Sequence, residues 1–366
     1  MAPVDPTVAV TINTPRRLRG LDSLRGVAIA TVILFHVQLH FPAPGLLGRI
    51  ALLGYNGVQL FFIVSGITMC YMWSARKDET GETAKFLIRR LCRIAPPFWF
   101  AIAFYMLWRL TGYGSLEPAG AFDALVTALL LHGIVPHDIN LVVPGGWSIA
   151  AEAGFYLLFP LMVSRLGTAS QRLWGALVIY LACTACEVLL ARGAGVDATV
   201  LYYSLLTQLP IFVVAMALFA VLFGGDARAA GRTFAIVGAL WAVAALAGRA
   251  LGWPTRPGLW GEVLLMLAFA GIVLRRFEWT LFAFLGRISY SAYLFHFAVI
   301  DVVAAWLPRH SAGANLVDFG VALVVIGLAT IAVAWASSRT LEAWSVNLGR
   351  ALVAKLDASA RRRSAA

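Results

Sequence analysis

Charged side chains are scarce in this sequence. They account for 13% of its 366 residues, whereas hydrophobic residues account for 61%. Soluble domains carry about 25% charged residues, so this composition excludes a soluble globular protein. The sequence has only four cysteines, which do not indicate a disulfide framework. Cys183 and Cys186 lie in an apolar run, where ordinary packing rather than redox chemistry is expected.

The apolar residues fall into blocks that are long enough to cross a bilayer as helices. A helical span needs about 17–25 such residues, and backbone groups in lipid must form their hydrogen bonds within the segment. The sequence therefore predicts an all-α fold, a polytopic transmembrane helical bundle with ten spans. We place the spans at residues 23–41, 52–73, 94–110, 145–163, 173–191, 200–223, 233–250, 260–274, 281–307 and 315–337.

Basic residues are distributed unevenly between the two sides of this arrangement. With ten spans and both termini in the cytoplasm, the Lys and Arg residues assigned to the other side are only Arg49, Arg109, Arg192, Arg249, Arg256 and Arg309, out of 29. Cytoplasmic loops characteristically carry this excess. An eleventh span at the shorter apolar block 122–136 would reverse every later loop, so we predict that this block does not cross the membrane.

The predicted topology divides the chain into three parts. Residues 1–22 form a cytoplasmic N-terminal segment, residues 23–338 form the membrane domain, and residues 339–366 form a basic cytoplasmic tail. In a membrane protein, a net charge of +11 indicates this positive-inside bias and contact with membrane lipids, rather than binding to nucleic acid.

The first span carries two ionisable residues on one helix face. Arg25 and His36 are eleven residues apart, which places them within about 20° around the helix and about 16 Å apart along its axis. A histidine halfway through the membrane is a candidate functional residue, and imidazole is the usual general base near neutral pH. The alternative is a histidine that only hydrogen-bonds to a neighbouring helix.

Glu152 lies at nearly the same predicted depth as His36, about 12 Å from the outer end of its span. If the two helices are neighbours, its carboxylate can orient the imidazole and stabilise the protonated form. The alternative is a glutamate bonded to some other polar group. Trp147 and Tyr156 in the same segment are either ligand-binding residues or packing aromatics.

Arg89, Arg90 and Arg93 form a basic cluster on the predicted cytoplasmic side. Arg89 and Arg93 are four residues apart and share a helix face. Because arginine binds phosphate through two hydrogen bonds at once, the cluster is a candidate site for a phosphorylated donor. The alternative is a topological anchor that contacts anionic lipid.

Two other spans place polar side chains within apolar runs. Gln59 and Ser65 lie in the second span, where packing and interhelical hydrogen bonding are the default interpretation. Tyr290, Tyr293 and His296 form a polar stripe in the ninth span. That stripe either lines a substrate cavity or joins neighbouring helices.

Taken in order, these segments resemble acyltransferase family three, bacterial membrane proteins that O-acylate surface sugars and some antibiotics. The similar segments are RGLDSLRGVAIATVILFH, GVQLFFIVSGI, FLIRRLCRIAP, WSIAAEAGFYLLFP and ISYSAYLFH, all between residues 16 and 297. One position departs from the family pattern, since the usual aspartate of the second segment is Gln59 here. Any role for an acid at that position is therefore in question.

The resemblance implies transfer of an acyl group, usually acetyl, from acyl-CoA to a carbohydrate hydroxyl of a surface or exported polysaccharide, at the bacterial inner membrane. It implies acyl-CoA as a co-substrate, with no permanently bound cofactor and no metal. His36 would act as base or acyl relay, with Glu152 as its partner. The donor-binding candidates are Arg25, Arg89, Arg90 and Arg93. The candidates for acceptor binding or cavity lining are Gln59, Ser65, Trp147, Tyr156, Tyr290, Tyr293 and His296.

Three other interpretations remain at this point. A proton-coupled transporter or flippase would use His36 and Glu152 as a proton relay and would move its substrate without consuming CoA. A non-catalytic subunit that scaffolds polysaccharide assembly predicts no phenotype for His36→Ala. A different type of membrane acyltransferase would place its essential histidine late in the chain, at His296.

Overall fold

The computed structural model describes residues 14–76, 81–112, 116–135, 137, 139–224, 232–233, 236–241, 243–244, 247, 259–276, 279–308, 310 and 313–365. Every regular element within these ranges is helical, which confirms the predicted all-α fold. The first helices are α1 (Thr14–His40), α2 (Gly45–Leu52), α3 (Gly57–Ser74), α4 (Glu82–Trp108), α5 (Ala121–Ala128), α6 (Trp147–Arg165) and α7 (Ala169–Gly193). They are followed by α8 (Ala198–Tyr203), α9 (Leu205–Phe223), α10 (Leu259–Arg276), α11 (Thr280–Arg287), α12 (Ser289–Trp306), α13 (Leu316–Ser337) and α14 (Ala343–Ala365).

Eight segments within the described ranges are long and apolar enough to span a membrane. They are Arg19–His40, Gly45–Ser74, Glu82–Thr111, Trp147–Arg165, Ala169–Gly193, Ala198–Phe223, Ser289–Trp306 and Leu316–Arg362. Each corresponds to one predicted span, and together they confirm a multi-pass membrane protein. The predicted span 260–274 is helical, as α10. This helix contains Glu262, Arg275 and Arg276 and is not one of the eight segments. The predicted span 233–250 is described only in part, at residues 233, 236–241, 243–244 and 247.

The apolar block at 122–136 is the segment whose assignment depended on charge. The only helix in its described part is α5, which has eight residues and is therefore about 12 Å long. The hydrocarbon core of a bilayer is about 30 Å thick, so α5 is too short to cross it. The structure agrees with the prediction that this block does not span the membrane.

Helix α1 packs against α11 through glycines on both helices. A Cβ atom added at Gly26 would lie 1.8 Å from the carbonyl oxygen of Phe282, and one at Gly286 would lie 1.8 Å from that of Asp22. Asp22 lies within α1, which begins at Thr14. The close packing fixes the helix that carries the first two candidate site residues.

The predicted basic tail is helical and packs against α4. The Ser345 hydroxyl of α14 donates to the carbonyl oxygen of Cys92, and a Cβ added at Gly349 would lie 2.9 Å from the Cys92 Cβ. Lys85 Nζ of α4 lies 2.5 Å from a carboxylate oxygen of Asp357. These contacts hold the helix that bears the candidate donor-binding arginines.

Candidate functional site

Two cavities adjoin in the bundle, and Val58 and Tyr293 line both of them. We call the smaller one, about 80 Å³, the basic cavity, and the larger one, about 390 Å³, the aromatic cavity. The polar residues of the basic cavity are Arg25, Ser65, Arg90, Arg93, Ser148, Glu152, Tyr156, Ser289, Tyr290 and Tyr293. The aromatic cavity is lined by residues that include His36, Tyr55, Asn140, Gly145, Trp147, Tyr202, Tyr203, Tyr293 and Phe297.

Hydrogen bonds between helices hold the acidic side of the basic cavity. Glu152 Oε1 of α6 accepts from the Ser65 hydroxyl of α3 at 2.6 Å and from the Tyr156 hydroxyl, one turn further along α6, at 2.7 Å. Arg25 of α1 donates to the Thr68 hydroxyl of α3 at 3.0 Å. These bonds link three helices around the cavity and fix the position of its carboxylate.

Arg90 and Arg93 of α4 supply the remaining positive charge. Arg90 is 7% exposed, and its guanidinium lies 5.8 Å from the centre of the Phe86 ring. Among the described residues neither arginine has a hydrogen-bond or ion-pair partner, so both guanidinium groups keep their donors for another group.

Arg25 also forms an ion pair with Asp22, at 3.3 Å. The three arginines therefore face two carboxylates, Asp22 and Glu152, and the remaining positive charge suits phosphate groups. Arg89 does not line either cavity.

The wall between the cavities is fixed by hydrogen bonds at Tyr293. Its hydroxyl donates to the Gly145 carbonyl oxygen at 2.9 Å and accepts from the Ser148 hydroxyl at 2.8 Å. The neighbouring Tyr290 lines only the basic cavity, and its hydroxyl donates to the Ile94 carbonyl oxygen at 2.6 Å. Tyr290 and Tyr293 therefore line a cavity and also join helices, whereas His296, the third residue of the polar stripe, lines neither cavity.

The aromatic cavity contains residues that the sequence alone did not single out. Trp147 and Tyr203 lie with ring centres 4.9 Å apart at 30°, and Tyr202 lies beside them. Asn140 also lines this cavity, and its side-chain oxygen accepts from the backbone N–H of Gly145 at 2.8 Å. Tyr202 and Tyr203 were not predicted as site residues because in the sequence they resemble interfacial aromatic residues. Asn140 was not predicted because it belongs to an irregular segment without periodicity.

Gln59 supports the aromatic cavity without lining it. The side chain is fully buried, and its amide nitrogen donates to the Tyr202 hydroxyl at 2.7 Å. The same nitrogen lies 3.5 Å from the Gln208 side-chain oxygen. The family pattern has an aspartate at this position. In this chain the amide of Gln59 instead joins α3 to α8 and α9.

The structure does not bring His36 and Glu152 together. His36 lines the aromatic cavity, where its ring centre lies 4.4 Å from that of Phe297 and 5.2 Å from that of His296. Glu152 lines the basic cavity and bonds to Ser65 and Tyr156. No hydrogen bond or ion pair joins the two in the part of the chain that the structure describes. The proton relay of the transporter interpretation lacks this link as well.

Comparison with known proteins gives a family for this arrangement. The model of an acyltransferase domain matches residues 18–339. The O-acetyltransferase OatA of Staphylococcus aureus (strain NCTC 8325 / PS 47) is 27% identical over 164 residues, which cover 42% of this chain and 26% of OatA. The putative peptidoglycan O-acetyltransferase YrhL of Bacillus subtilis (strain 168) is 24% identical over 203 residues, which cover 51% of this chain and 31% of YrhL.

The aligned part of this chain thus spans less than a third of either relative. No solved structure matches the chain. The family match, by contrast, extends from the start of the first predicted membrane span to the end of the last one, and it includes both cavities. The chain therefore belongs to the acyltransferase family whose sequence segments it resembles.

Proposed function

We propose that this protein is a membrane-embedded O-acyltransferase of the bacterial inner membrane. It transfers an acyl group, acetyl in the simplest case, from acyl-CoA to a hydroxyl of a surface or exported polysaccharide. The observation that carries the proposal is the pair of adjoining cavities, one basic and one aromatic, with Tyr293 in the wall of both. An acyl transferase needs such a junction because donor and acceptor must meet at one point.

The basic cavity is suited to the donor. Coenzyme A carries several phosphate groups, and Arg25, Arg90 and Arg93 present guanidinium groups to the cavity. Among the described residues that line it, Glu152 is the only acidic one. This balance of charge favours an anionic substrate, and it supports acyl-CoA over a neutral acyl donor.

The aromatic cavity is suited to the acceptor. Sugars have apolar C–H faces and hydroxyl edges, so flat aromatic rings beside amide and hydroxyl groups are appropriate partners. Trp147, Tyr202, Tyr203 and Asn140 supply these groups. The name of the Bacillus relative includes peptidoglycan, which supports a polysaccharide as the acceptor.

In the proposed reaction His36, which lines the aromatic cavity, is the general base. In the proposed reaction the acceptor hydroxyl gives its proton to a ring nitrogen of His36, and its oxygen attacks the thioester carbonyl carbon. The carbon–sulfur bond then breaks, and the departing thiolate takes the proton from His36 to leave as free coenzyme A. Atoms and charge balance without a metal or a redox cofactor.

Mass spectrometry of surface glycans tests this proposal. A deletion strain should lose one acyl mass per modified sugar, and the wild-type gene should restore it. The His36→Ala gene should fail to restore it while the protein is still found in the membrane. Identical glycan masses in the deletion strain and its parent, together with no release of CoA by the purified protein, would contradict the proposal.

A further inference from the structure

His296 of α12 has a buried nitrogen without a hydrogen-bond partner. The side chain is fully buried, and its Nε2 atom contacts no donor or acceptor among the described residues. Buried polar atoms nearly always have a partner, so an exception calls for an explanation. Because His296 lines neither cavity, direct contact with a bound substrate does not supply one.

The other ring nitrogen determines what Nε2 can do. Nδ1 of His296 lies 2.7 Å from the carbonyl oxygen of Tyr293. A carbonyl oxygen only accepts, so Nδ1 must carry the hydrogen of this bond. In the neutral ring Nε2 then has an unused lone pair, and it can accept a hydrogen bond from a neighbouring donor.

The ring that can supply this donor is His36. The centres of the two imidazole rings are 5.2 Å apart, and both rings pack against Phe297, at 4.4 Å for His36 and 4.2 Å for His296. An N–H···N bond of about 3 Å between two imidazoles places the ring centres about 5 Å apart. The separation therefore fits such a bond after reorientation of the His36 ring.

We propose that His296 is the positioning residue for His36, in the place that a carboxylate takes in other catalytic dyads. The inference rests on the proposed function, because it needs His36 to act as the base. One nitrogen of His36 donates its hydrogen to His296 Nε2, which leaves the other nitrogen as an acceptor that faces the aromatic cavity. This fixes both the tautomer and the ring orientation that proton removal requires.

The proton balance is simple. The acceptor proton moves to His36, whose second N–H stays hydrogen-bonded to His296 Nε2, and His296 neither gains nor loses a proton. When the thiolate departs it takes the proton from His36, and the dyad returns to its starting state. His296 thus acts through His36 and does not touch the reacting atoms.

Two variants separate this role from a structural one. His296→Asn keeps a donor to the Tyr293 carbonyl but has no acceptor at the Nε2 position. His296→Gln places an amide oxygen near that position but gives up the bond to Tyr293. We expect the Asn variant to lose about tenfold or more in kcat with both KM values unchanged, which is less than the loss of the base itself. The Gln variant should retain clearly more activity, whereas a purely structural role predicts the reverse order.

His132 provides a matched control. It is also a buried histidine with one partnerless nitrogen, Nδ1, while its Nε2 lies 3.0 Å from the carbonyl oxygen of Gly146. Its ring stacks on Phe98 at 5.6 Å and is not in ring contact with His36. His132→Gln keeps the carbonyl bond and removes the partnerless nitrogen, so we expect kcat within about twofold of the wild type.

The dyad also predicts that the two histidines act as one unit. Adding His296→Asn to His36→Ala should therefore cause no further loss of activity. Independent, multiplying losses would overturn the inference, as would an Asn variant that is as active as the Gln variant or an equal loss in His132→Gln. A wild-type protein that releases no CoA from acyl-CoA would refute the proposed function instead, so the two failures are distinguishable.

Discussion

The basic and aromatic cavities share a wall but hold their ionisable groups in different ways. In the basic cavity, charged groups are fixed by hydrogen bonds such as those from Ser65 to Glu152 and from Arg25 to Thr68. In the aromatic cavity, the His36 ring contacts other rings and has no hydrogen bond to any described residue. A positive charge beside an imidazole opposes proton uptake. Separate cavities therefore allow one protein to bind an anionic donor and to keep a base that can accept a proton.

The largest effect should come from removing the base of the aromatic cavity. We expect His36→Ala to lower kcat by about 10²–10⁴-fold, the range for loss of a general base, with the KM for acyl-CoA unchanged. The reason is that the donor binds through arginines of the other cavity. Steady-state CoA release with varied donor and acceptor concentrations measures both constants.

Two outcomes of that experiment would break the comparison. Wild-type turnover from a correctly inserted His36→Ala protein would remove His36 from the mechanism and direct attention to His296. A large increase in the donor KM would show that the two cavities do not divide donor binding from catalysis.

A smaller effect should distinguish two arginines that lie one helix turn apart. Arg93 lines the basic cavity, whereas Arg89 does not. We expect Arg93→Gln to raise the KM for acyl-CoA about tenfold, which corresponds to about 1.4 kcal/mol, with little change in the acceptor KM. Arg89→Gln is the matched control and should change the donor KM less than about threefold. An unchanged donor KM in a folded Arg93→Gln protein would indicate that the cluster is only a topological signal. Equal increases in both variants would contradict the assignment of donor binding to the cavity-lining arginine.

The sequence predicted most of the fold because span length and charge bias are local properties. A run of about 20 apolar residues can cross a bilayer wherever it occurs, and the excess of basic residues on one side excluded 122–136 as a span. Depth was less informative for the site. His36 and Glu152 were paired because their predicted depths agree, but depth does not determine which helix faces meet. Asn140 could not be predicted as a site residue, because an irregular segment has no periodicity that indicates which way its side chains face.

The smallest expected effect is the coupling between His36 and Glu152. If the two acted as a base and its orienting acid, Glu152→Gln would cost little more once His36 was already replaced by alanine. In the structure they line different cavities and share no hydrogen-bond partner among the described residues, since Glu152 bonds to Ser65 and Tyr156. Independent sites usually combine within about 0.5 kcal/mol. We therefore expect Glu152→Gln to reduce kcat/KM by the same factor, within about twofold, in the wild-type and His36→Ala backgrounds. Measurement needs all four proteins in the same detergent, with reaction times long enough to quantify CoA release by His36→Ala. A Glu152→Gln effect that disappears in the His36→Ala background would show that the pair forms during the reaction cycle, and the separation between the two cavities would then be a property of the resting protein alone.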